Sequence, residues 1–225
     1  MSRRRVKVDE LPADGTLALD PAAHHHLVRV LRLPDGATVI AFDGQGNQQP
    51  CQLQRTSDAQ ATLHGTGPIE RAAPATPAHL ALALLKPKAL DIALRMAVEA
   101  GITHLHIFDA SRSQRRPARP DRWSRILQAA ATQCGRADLP ALSVHASLDA
   151  ALGALPRPLY IGVPGASQSP APDGPAAIVV GPEGGFTAAE FDEAVAAGAQ
   201  PVGLGRWVLR AETAAILASG FITPS

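Results

Sequence analysis

Two glycine-rich segments in the last fifth of the chain contain residue types that could bind a ligand through the backbone. One is residues 181–185 (GPEGG), and the other begins at residues 203–205 (GLG). Glycines let a ligand approach the peptide groups closely, so that N–H and C=O groups can bind its polar edges. Alternatively, each segment could be a tight turn in which glycine serves only the backbone geometry.

The composition of these segments indicates which ligand they would take. Neither contains the G-x-x-x-x-G-K-[ST] phosphate loop, and residues 203–205 lack the third glycine of the dinucleotide fingerprint. The carboxylate of Glu183 would repel a polyphosphate but would tolerate a cation. S-adenosylmethionine is a nucleoside that carries a positive charge instead of phosphates, and it is therefore the candidate ligand.

An alternation of strands and helices is predicted to position the two segments. An apolar strand precedes the first segment, and Thr187 then starts a helix in which Glu190 completes a capping box and which Gly198 ends. A second strand at residues 201–204 precedes a last helix that runs through residues 212–214. Ligands of open α/β sheets bind beyond the carboxyl ends of the strands, so both segments are expected to meet there.

The alternating pattern begins near residue 78 and predicts a mostly parallel α/β sheet. Further strands are predicted at residues 79–85, 102–108, 141–144, 159–163 and 177–180, and helices at 90–100 and 121–134. Residues 70–79 (ERAAPATPAH) are rich in proline and alanine and indicate a linker. Residues 1–72 and 78–225 are therefore predicted to be two domains.

Residues 1–72 are predicted to form a small β-rich domain. Short strands between turn residues are predicted at residues 37–43, 51–54 and 61–63. One helix interrupts them, with Asp20 as its N-cap and Pro21 at its first position.

Residues 181–187 (GPEGGFT) and 204–214 (LGRWVLRAETA) resemble the two cofactor-loop motifs of the RsmE family. Members of this family are SPOUT-superfamily methyltransferases that use S-adenosylmethionine to methylate N3 of a uridine in small-subunit (16S) ribosomal RNA. The resemblance extends over nearly the whole chain, since residues 24–33 (HHHLVRVLRL) are similar to the HHL-x-x-VLR signature of the family's PUA-like RNA-binding domain. It implies a SPOUT-type α/β methyltransferase domain with a deep trefoil knot, preceded by a small PUA-like domain, and a homodimer.

The resemblance also implies site residues. The cofactor would be bound by Leu85, Gly162, Gly181, Pro182, Glu183, Gly184, Gly185, Leu204, Gly205, Val208, Leu209, Thr213 and Ala214. Either Arg210 or Arg112 has the charge to stabilise the uracil oxygens as N3 loses its proton. The general base cannot be assigned from the sequence. Glu212 is one candidate, and a carboxylate that only bridges the start of a helix to Arg210 or to backbone amides is the alternative.

Clustered arginines indicate a partner with phosphate groups. Seven arginines and a single acid, Asp121, lie between residues 111 and 136, and the planar guanidinium suits phosphate recognition. A solvated surface in an arginine-rich chain is the alternative. The residues predicted to contact RNA are Arg5, Arg29, Arg32, Lys86, Arg115, Arg116 and Arg136.

Aromatic residues are scarce, at 4% of the chain, which argues against an extensive base-stacking surface. Trp207 could stack on a base or an adenine, or it could pack in the core.

No apolar run reaches membrane-spanning length, and the basic N-terminus lacks the apolar segment of a secretory signal. Cys51 and Cys134 form neither a disulfide framework nor a metal cluster, which fits a reducing cytoplasm. The consecutive histidines at 24–26 would point in different directions on a helix, so no metal site is expected there.

The predicted function is therefore methylation of N3 of a uridine in small-subunit ribosomal RNA, with S-adenosylmethionine as the cofactor. Two alternatives remain. One is an RNA-binding ribosome-assembly factor that keeps the cofactor fold without turnover. The other is a nucleotide-binding oxidoreductase with an unusual loop.

Overall fold

The computed structural model describes residues 4–57, 60–72, 76–114 and 117–223. The chain divides into two compact units. The first comprises Met1–Pro74 together with Gln128–Leu139, and the second comprises Ala75–Leu127 together with Pro140–Ser225. No helix in the described ranges is long and apolar enough to cross a lipid bilayer.

A six-stranded sheet forms most of the first unit. Its strands are β1 (Arg5–Lys7), β2 (Thr16–Ala18), β3 (Thr38–Phe42), β4 (Asn47–Arg55), β5 (Ala61–Gly65) and β6 (Glu70–Arg71). The order across the sheet is β1-β3-β4-β5-β2, with β6 paired to β4. β1 runs parallel to β3, and the other pairs are antiparallel. The prediction of a β-rich segment is confirmed, although β1 and β2 are not predicted from the sequence.

The helix predicted in this unit begins as expected and then widens. In α1 (Pro21–His24), the Asp20 carboxylate accepts hydrogen bonds from the N–H groups of Ala22 (2.7 Å) and Ala23 (2.8 Å). The chain continues as a π-helical segment, His25–Val30, which places the buried side chain of Leu27 in the core. His24 is buried, whereas the next histidine is exposed, so these consecutive imidazoles do point in different directions.

Six parallel strands form the sheet of the second unit. They are β7 (Ala78–Ala83), β8 (His104–Phe108), β9 (Ala141–His145), β10 (Leu159–Gly162), β11 (Ala176–Val180) and β12 (Ala199–Val202). The order is β12-β10-β11-β7-β8-β9, and every neighbouring pair is parallel. Apart from His79 of β7, the central strands β7 and β11 are apolar and almost completely buried, as expected of a parallel sheet covered on both faces. The prediction of a mostly parallel sheet is confirmed.

Five helices accompany these strands. They are α2 (Pro87–Glu99), α3 (Pro120–Cys134), α4 (Leu148–Leu152), α5 (Ala188–Ala196) and α6 (Ala211–Ile222). α2 and α6 contact each other, and α6 also packs on β7 and β11. α4 and α5 contact each other, and their apolar residues join one buried cluster with residues of the sheet. From Gln128 onward, α3 belongs to the first unit.

Besides β1 and β2, three further elements differ from the prediction. α4 has no predicted counterpart. β12 covers Ala199–Val202, so it begins two residues before the predicted strand at 201–204 and also ends two residues earlier. Leu204 belongs to the loop beyond the sheet. The predicted linker at 70–79 contains β6, since Glu70 and Arg71 pair with Gln48 and Asn47 of β4. Strand pairing of this kind depends on a distant partner and leaves no local signal.

A row of imidazoles crosses three neighbouring strands of the second unit. The rings of His79 and His104 stack with centroids 3.9 Å apart. His79 Nδ1 lies 3.1 Å from His106 Nε2, and His106 Nδ1 lies 3.1 Å from His145 Nε2. The parallel register places β7, β8 and β9 side by side and so brings together residues far apart in sequence. The described ranges contain no group of three or more side chains arranged to hold a metal ion.

This row should make the protein less stable in acid. Burial lowers the pKa of His79 to about 4, helped by His104 and His106, and burial likewise lowers the pKa of His106 to about 4, helped by His145 and His104. The unfolded chain, with an ordinary histidine pKa of about 6.5, therefore binds more protons. The neutral rings contribute their full stability above about pH 6.5 and lose it as the pH falls towards 4. Because the row is partly exposed, we expect a loss of roughly 1–3 kcal/mol.

The measurement is the denaturant midpoint of the wild-type chain between pH 7 and pH 4.5, compared with that of His106→Gln. The variant should show a shallower decline with falling pH. His25→Gln, at an exposed histidine of the first unit, is the matched control and should keep the wild-type slope. Equal slopes for all three proteins would contradict the prediction.

Candidate active site

A cavity of about 910 Å³ lies beyond the carboxyl ends of β7, β10 and β11 and beside the start of α6. This volume is within the usual range of roughly 300–1,000 Å³ for a small-molecule site. Its lining residues are Lys86, Ala89, Gly162, Val163, Pro164, Val180, Gly181, Pro182, Glu183, Gly184, Gly185, Phe186, Thr187, Ala188, Phe191, Val208, Leu209, Arg210, Ala211, Glu212 and Ala214. Both motif regions identified in the sequence therefore contribute to one cavity.

The first glycine loop, residues 181–186, forms one wall as a tight turn. The N–H of Gly185 donates to the carbonyl of Pro182 (2.9 Å). Gly185 has a φ of 69°, in the left-handed region that favours glycine. A Cβ on Gly181 would lie 3.0 Å from the ring of Phe186, so that position must stay small for the ring to pack there. The glycines thus serve both the turn and the exposure of backbone to the cavity.

Glu183 makes a structural contact that the sequence does not predict. Its Oε1 accepts a hydrogen bond from the N–H of Lys86 (3.0 Å), which is the N-cap residue of α2. A carboxylate at this position satisfies an N–H donor at the start of the helix, and its negative charge is stabilised by the positive end of the helix dipole. Glu183 therefore anchors the glycine loop to α2 while its charge stays at the cavity wall.

Arg112 also holds the first glycine loop. Its Nη1 donates to the carbonyls of Gly184 (2.9 Å) and Phe186 (3.2 Å). It is not among the residues that line the cavity. Arg112 therefore positions the loop. Of the two arginines predicted to face the substrate, only Arg210 lines the cavity, and its role there stays a prediction.

Glu190 joins the same loop region to α5. Its Oε1 accepts from the N–H of Ser111 (2.7 Å), and its Oε2 accepts from the N–H and the hydroxyl of Thr187 (2.8 and 2.9 Å). The hydroxyl of Thr187 accepts in turn from the N–H of Glu190, which confirms the predicted capping box. Burial raises the pKa of Glu190, but these hydrogen bonds outweigh it and hold the pKa below the usual value. The ionised carboxylate of Glu190 thus connects Ser111, which precedes Arg112, to the start of α5, which follows the first glycine loop.

The second glycine loop, which begins at residues 203–205, follows β12 and packs closely against the loop after β10. A Cβ on Gly203 would lie 2.2 Å from the carbonyl oxygen of Ala166, and the N–H of Gly203 donates to the carbonyl of Ser167 (2.9 Å). Only glycine fits at this position. Leu204 and Gly205 line a smaller cavity of about 50 Å³, which shares several lining residues with the main cavity.

Two ionisable side chains lie at the start of α6. Arg210 is its N-cap residue and Glu212 lies in its first turn, and both line the main cavity. In the part of the chain that the structure describes, no ion pair joins them, and Arg210 makes no side-chain capping bond. The bridge from Glu212 to Arg210, considered as one alternative role for Glu212, is therefore not formed. The cavity is thus flanked by a guanidinium and a carboxylate that could act on a ligand.

All predicted cofactor residues except Leu85 and Thr213 line one of the two cavities. Leu85 is only 2% exposed, so its side chain serves the core and not the cavity. Val163, Pro164 and Phe191 also line the main cavity and are not among the residues predicted from the sequence. Phe191 has the apolar character that helical spacing assigns to the buried face of α5, and Val163 and Pro164 have no distinguishing sequence pattern.

Two of the arginines predicted to bind RNA have polar partners within the first unit. Arg5 is 7% exposed, and its guanidinium donates to Gln48 Oε1 (3.0 Å) and to the carbonyl of Arg136 (3.1 Å). It also lies 5.1 Å from the centre of the Phe42 ring. Arg136 forms an ion pair with Asp138. These partners give both arginines a structural role. The burial of Arg5 argues against the predicted RNA contact at that residue, whereas the predicted contact of the partly buried Arg136 stays a prediction.

The remaining predicted RNA contacts are placed differently. Arg29 and Arg32 are exposed on the first unit, directly within and after the π-helical segment. Lys86 is exposed and lines the main cavity. Arg115 and Arg116 lie outside the described residues.

Comparisons with known proteins agree with this geometry. Residues 72–223 match the RNA methyltransferase domain family. The chain is 32% identical to ribosomal RNA small subunit methyltransferase E of Synechocystis sp., over 97% of this chain and 76% of that protein. It is 27% identical to the protein of the same name from Bacillus subtilis, over 97% of this chain and 93% of that protein.

A solved structure is also similar over almost the full length. It is a ribosomal RNA small subunit methyltransferase E from Neisseria gonorrhoeae bound to S-adenosyl methionine, with a TM-score of 0.89 and 26% identity, covering 96% of this chain and 95% of that one. These matches are all to RNA methyltransferases and therefore argue against the oxidoreductase alternative. The chain therefore belongs to the RNA methyltransferase domain family and, within it, to the ribosomal RNA small subunit methyltransferase E (RsmE) family.

Proposed function

We propose that this protein transfers a methyl group from S-adenosylmethionine to N3 of a specific uridine in the 16S RNA of the small ribosomal subunit. The observation that carries the proposal is the shared cavity, because the first glycine loop and the segment from Val208 to Ala214 line it together. These are the two regions whose motifs resemble the RsmE family. The relative from N. gonorrhoeae binds S-adenosyl methionine, which supports the choice of cofactor.

The residues of the cavity fit this cofactor. Backbone groups at residues 181–185 and 204–205 would bind its polar edges, and Val208, Leu209 and Ala214 offer apolar contacts. The carboxylate of Glu183 favours a cation. When bound, S-adenosylmethionine supplies an electrophilic methyl group.

The chain's own residues would act on the uracil. As N3 loses its proton, negative charge develops on O2 and O4, and the guanidinium of Arg210 is suited to stabilise it. We assign the acceptance of this proton, as general base, to Glu212, the carboxylate in the first turn of α6 that lines the cavity. Holding N3 in line with the methyl donor is a positioning task, which can account for a large part of the rate.

We also infer the finer features that the family resemblance implies. The β-rich first unit, with Arg29 and Arg32 exposed, is proposed to be a PUA-like RNA-binding domain, and the second unit a SPOUT domain with a trefoil knot. A homodimer is proposed on the same grounds. A ribosomal RNA substrate supports a cytoplasmic location.

The test is methyl transfer from radiolabelled S-adenosylmethionine to small subunits isolated from cells that lack the corresponding gene. N3 methylation blocks base pairing, so reverse transcription should stop at one uridine, and mass spectrometry of the digested RNA should identify the product. Methylation at another atom would overturn the N3 assignment. Binding of the cofactor and the RNA without transfer would support the assembly-factor alternative instead.

A further inference from the structure

Trp207 is a large aromatic side chain that the fold leaves in solvent beside the cavity. It is 72% exposed, and its neighbour Val208, which lines the main cavity, is 82% exposed. Trp207 itself lines the smaller cavity with Leu204 and Gly205. The other tryptophan of the chain, Trp123, is 3% exposed. The core-packing role considered for Trp207 is therefore wrong.

The surroundings of Trp207 are cationic. The guanidinium of Arg206 lies 5.1 Å from the centre of the indole ring, which is a cation–π distance. Arg210 follows three residues later at the mouth of the main cavity. A planar aromatic ring beside a guanidinium group, with a second arginine nearby in the chain, complements a nucleotide, because the ring can stack on the base while the arginines attract the phosphates.

We propose that Trp207 stacks on an unpaired base of the RNA at the mouth of the cavity, next to the uridine that is methylated. This inference rests on the proposed function, which requires an unstacked uridine to reach the cavity. Trp207 is then a substrate-binding residue that acts on the RNA and not on the cofactor. Stacking tolerates any base because every base has a π-face, so Trp207 contributes affinity and orientation and leaves the choice of nucleotide to other contacts.

The charge of the region favours RNA over the other two possible occupants. A second copy of this chain would have to bury Arg206 with Trp207, which is costly for an unpaired cation. Trp207 is not among the residues that line the main cavity, in which the cofactor is proposed to lie, and this argues against stacking on its adenine. An RNA strand can cover the ring and pair the arginines with phosphates in the same step.

The experiment compares Trp207→Ala, Trp207→Phe and the wild-type chain on small subunits. Removing the ring should raise KM for the RNA substrate by about tenfold to a hundredfold, and phenylalanine should restore most of this loss. The Kd for S-adenosylmethionine and the sedimentation behaviour should stay unchanged. Val144→Ala, at an apolar residue exposed elsewhere on the second unit, is the control for loss of surface area and should leave KM unchanged.

A turnover-independent readout separates this proposal from the proposed function. Oligouridine should quench the fluorescence of Trp207, while the buried Trp123 supplies a constant background. If the wild-type chain methylated nothing, the proposed function would fail while quenching could still support stacking. An unchanged KM in Trp207→Ala, a weaker cofactor Kd, or a changed oligomeric state would each overturn the proposal, the last two in favour of the adenine or a second copy.

Discussion

Replacing Arg210 by alanine is expected to lower kcat for methyl transfer by about 100- to 1,000-fold, the usual effect of removing one preorganised donor that stabilises developing charge. The side chain lies at the start of α6 and lines the cavity. Charge develops on the uracil oxygens only as N3 loses its proton, so the loss should fall on kcat and not on binding. Single-turnover kinetics on small subunits, together with calorimetric titration of the cofactor, measure the two effects separately.

Two further variants make this result specific. Arg210→Lys keeps the charge but loses the planar fork and should recover only part of the rate. Arg95→Ala removes an exposed arginine of α2 that lies outside the cavity lining, and it should have the wild-type rate. A full rate in Arg210→Ala would remove this residue from the chemistry.

Gly203→Ala should weaken cofactor binding by at least about tenfold, or 1.4 kcal/mol. The new Cβ would lie 2.2 Å from the carbonyl oxygen of Ala166, which is backbone and cannot rotate away. One of the two loops must move, and both lead into lining residues of the cavities. Calorimetry should report the loss of affinity, and a thermal melt should establish that the variant remains folded.

Gly174→Ala is the matched control, because its Cβ would meet nothing within 4 Å. It should bind the cofactor with wild-type affinity. If a folded Gly203→Ala variant also did so, the close approach of the two loops would have no part in shaping the site.

The first glycine loop is held from two sides, which explains why its neighbours do not act as the sequence suggests. Glu183 is predicted from its charge alone, yet its carboxylate also accepts from the N–H of Lys86. Arg112 is predicted to face the substrate, yet it donates to carbonyls of the loop. Both contacts join segments that are more than seventy residues apart along the chain, so neither could be deduced from spacing. They fix the loop in place before any ligand binds.

Features that depend on neighbouring residues are predictable from the sequence. The capping box of Thr187 and Glu190 and the N-cap of Asp20 involve contacts within four residues, so the residue types suffice to predict them. The alternation of apolar strands with helices likewise predicts a parallel sheet with its ligand at the carboxyl ends. The two glycine motifs and Glu183 then limit the class of cofactor.

The sequence by itself therefore determined the class of fold, the two loops and the kind of cofactor, because each has a local pattern. Only the tertiary structure decided which charged and aromatic side chains remain exposed and can contact a ligand. Arg5 is buried and donates a hydrogen bond to the carbonyl of Arg136, 131 residues away in the chain. Residues 128–139 belong to the first unit although they follow strands of the second. Trp207 stays exposed beside an apolar sequence that suggests a core. Burial and strand order depend on contacts between residues distant in the chain, such as the insertion of β10 between β11 and β12, and such contacts have no signature in any short stretch of sequence.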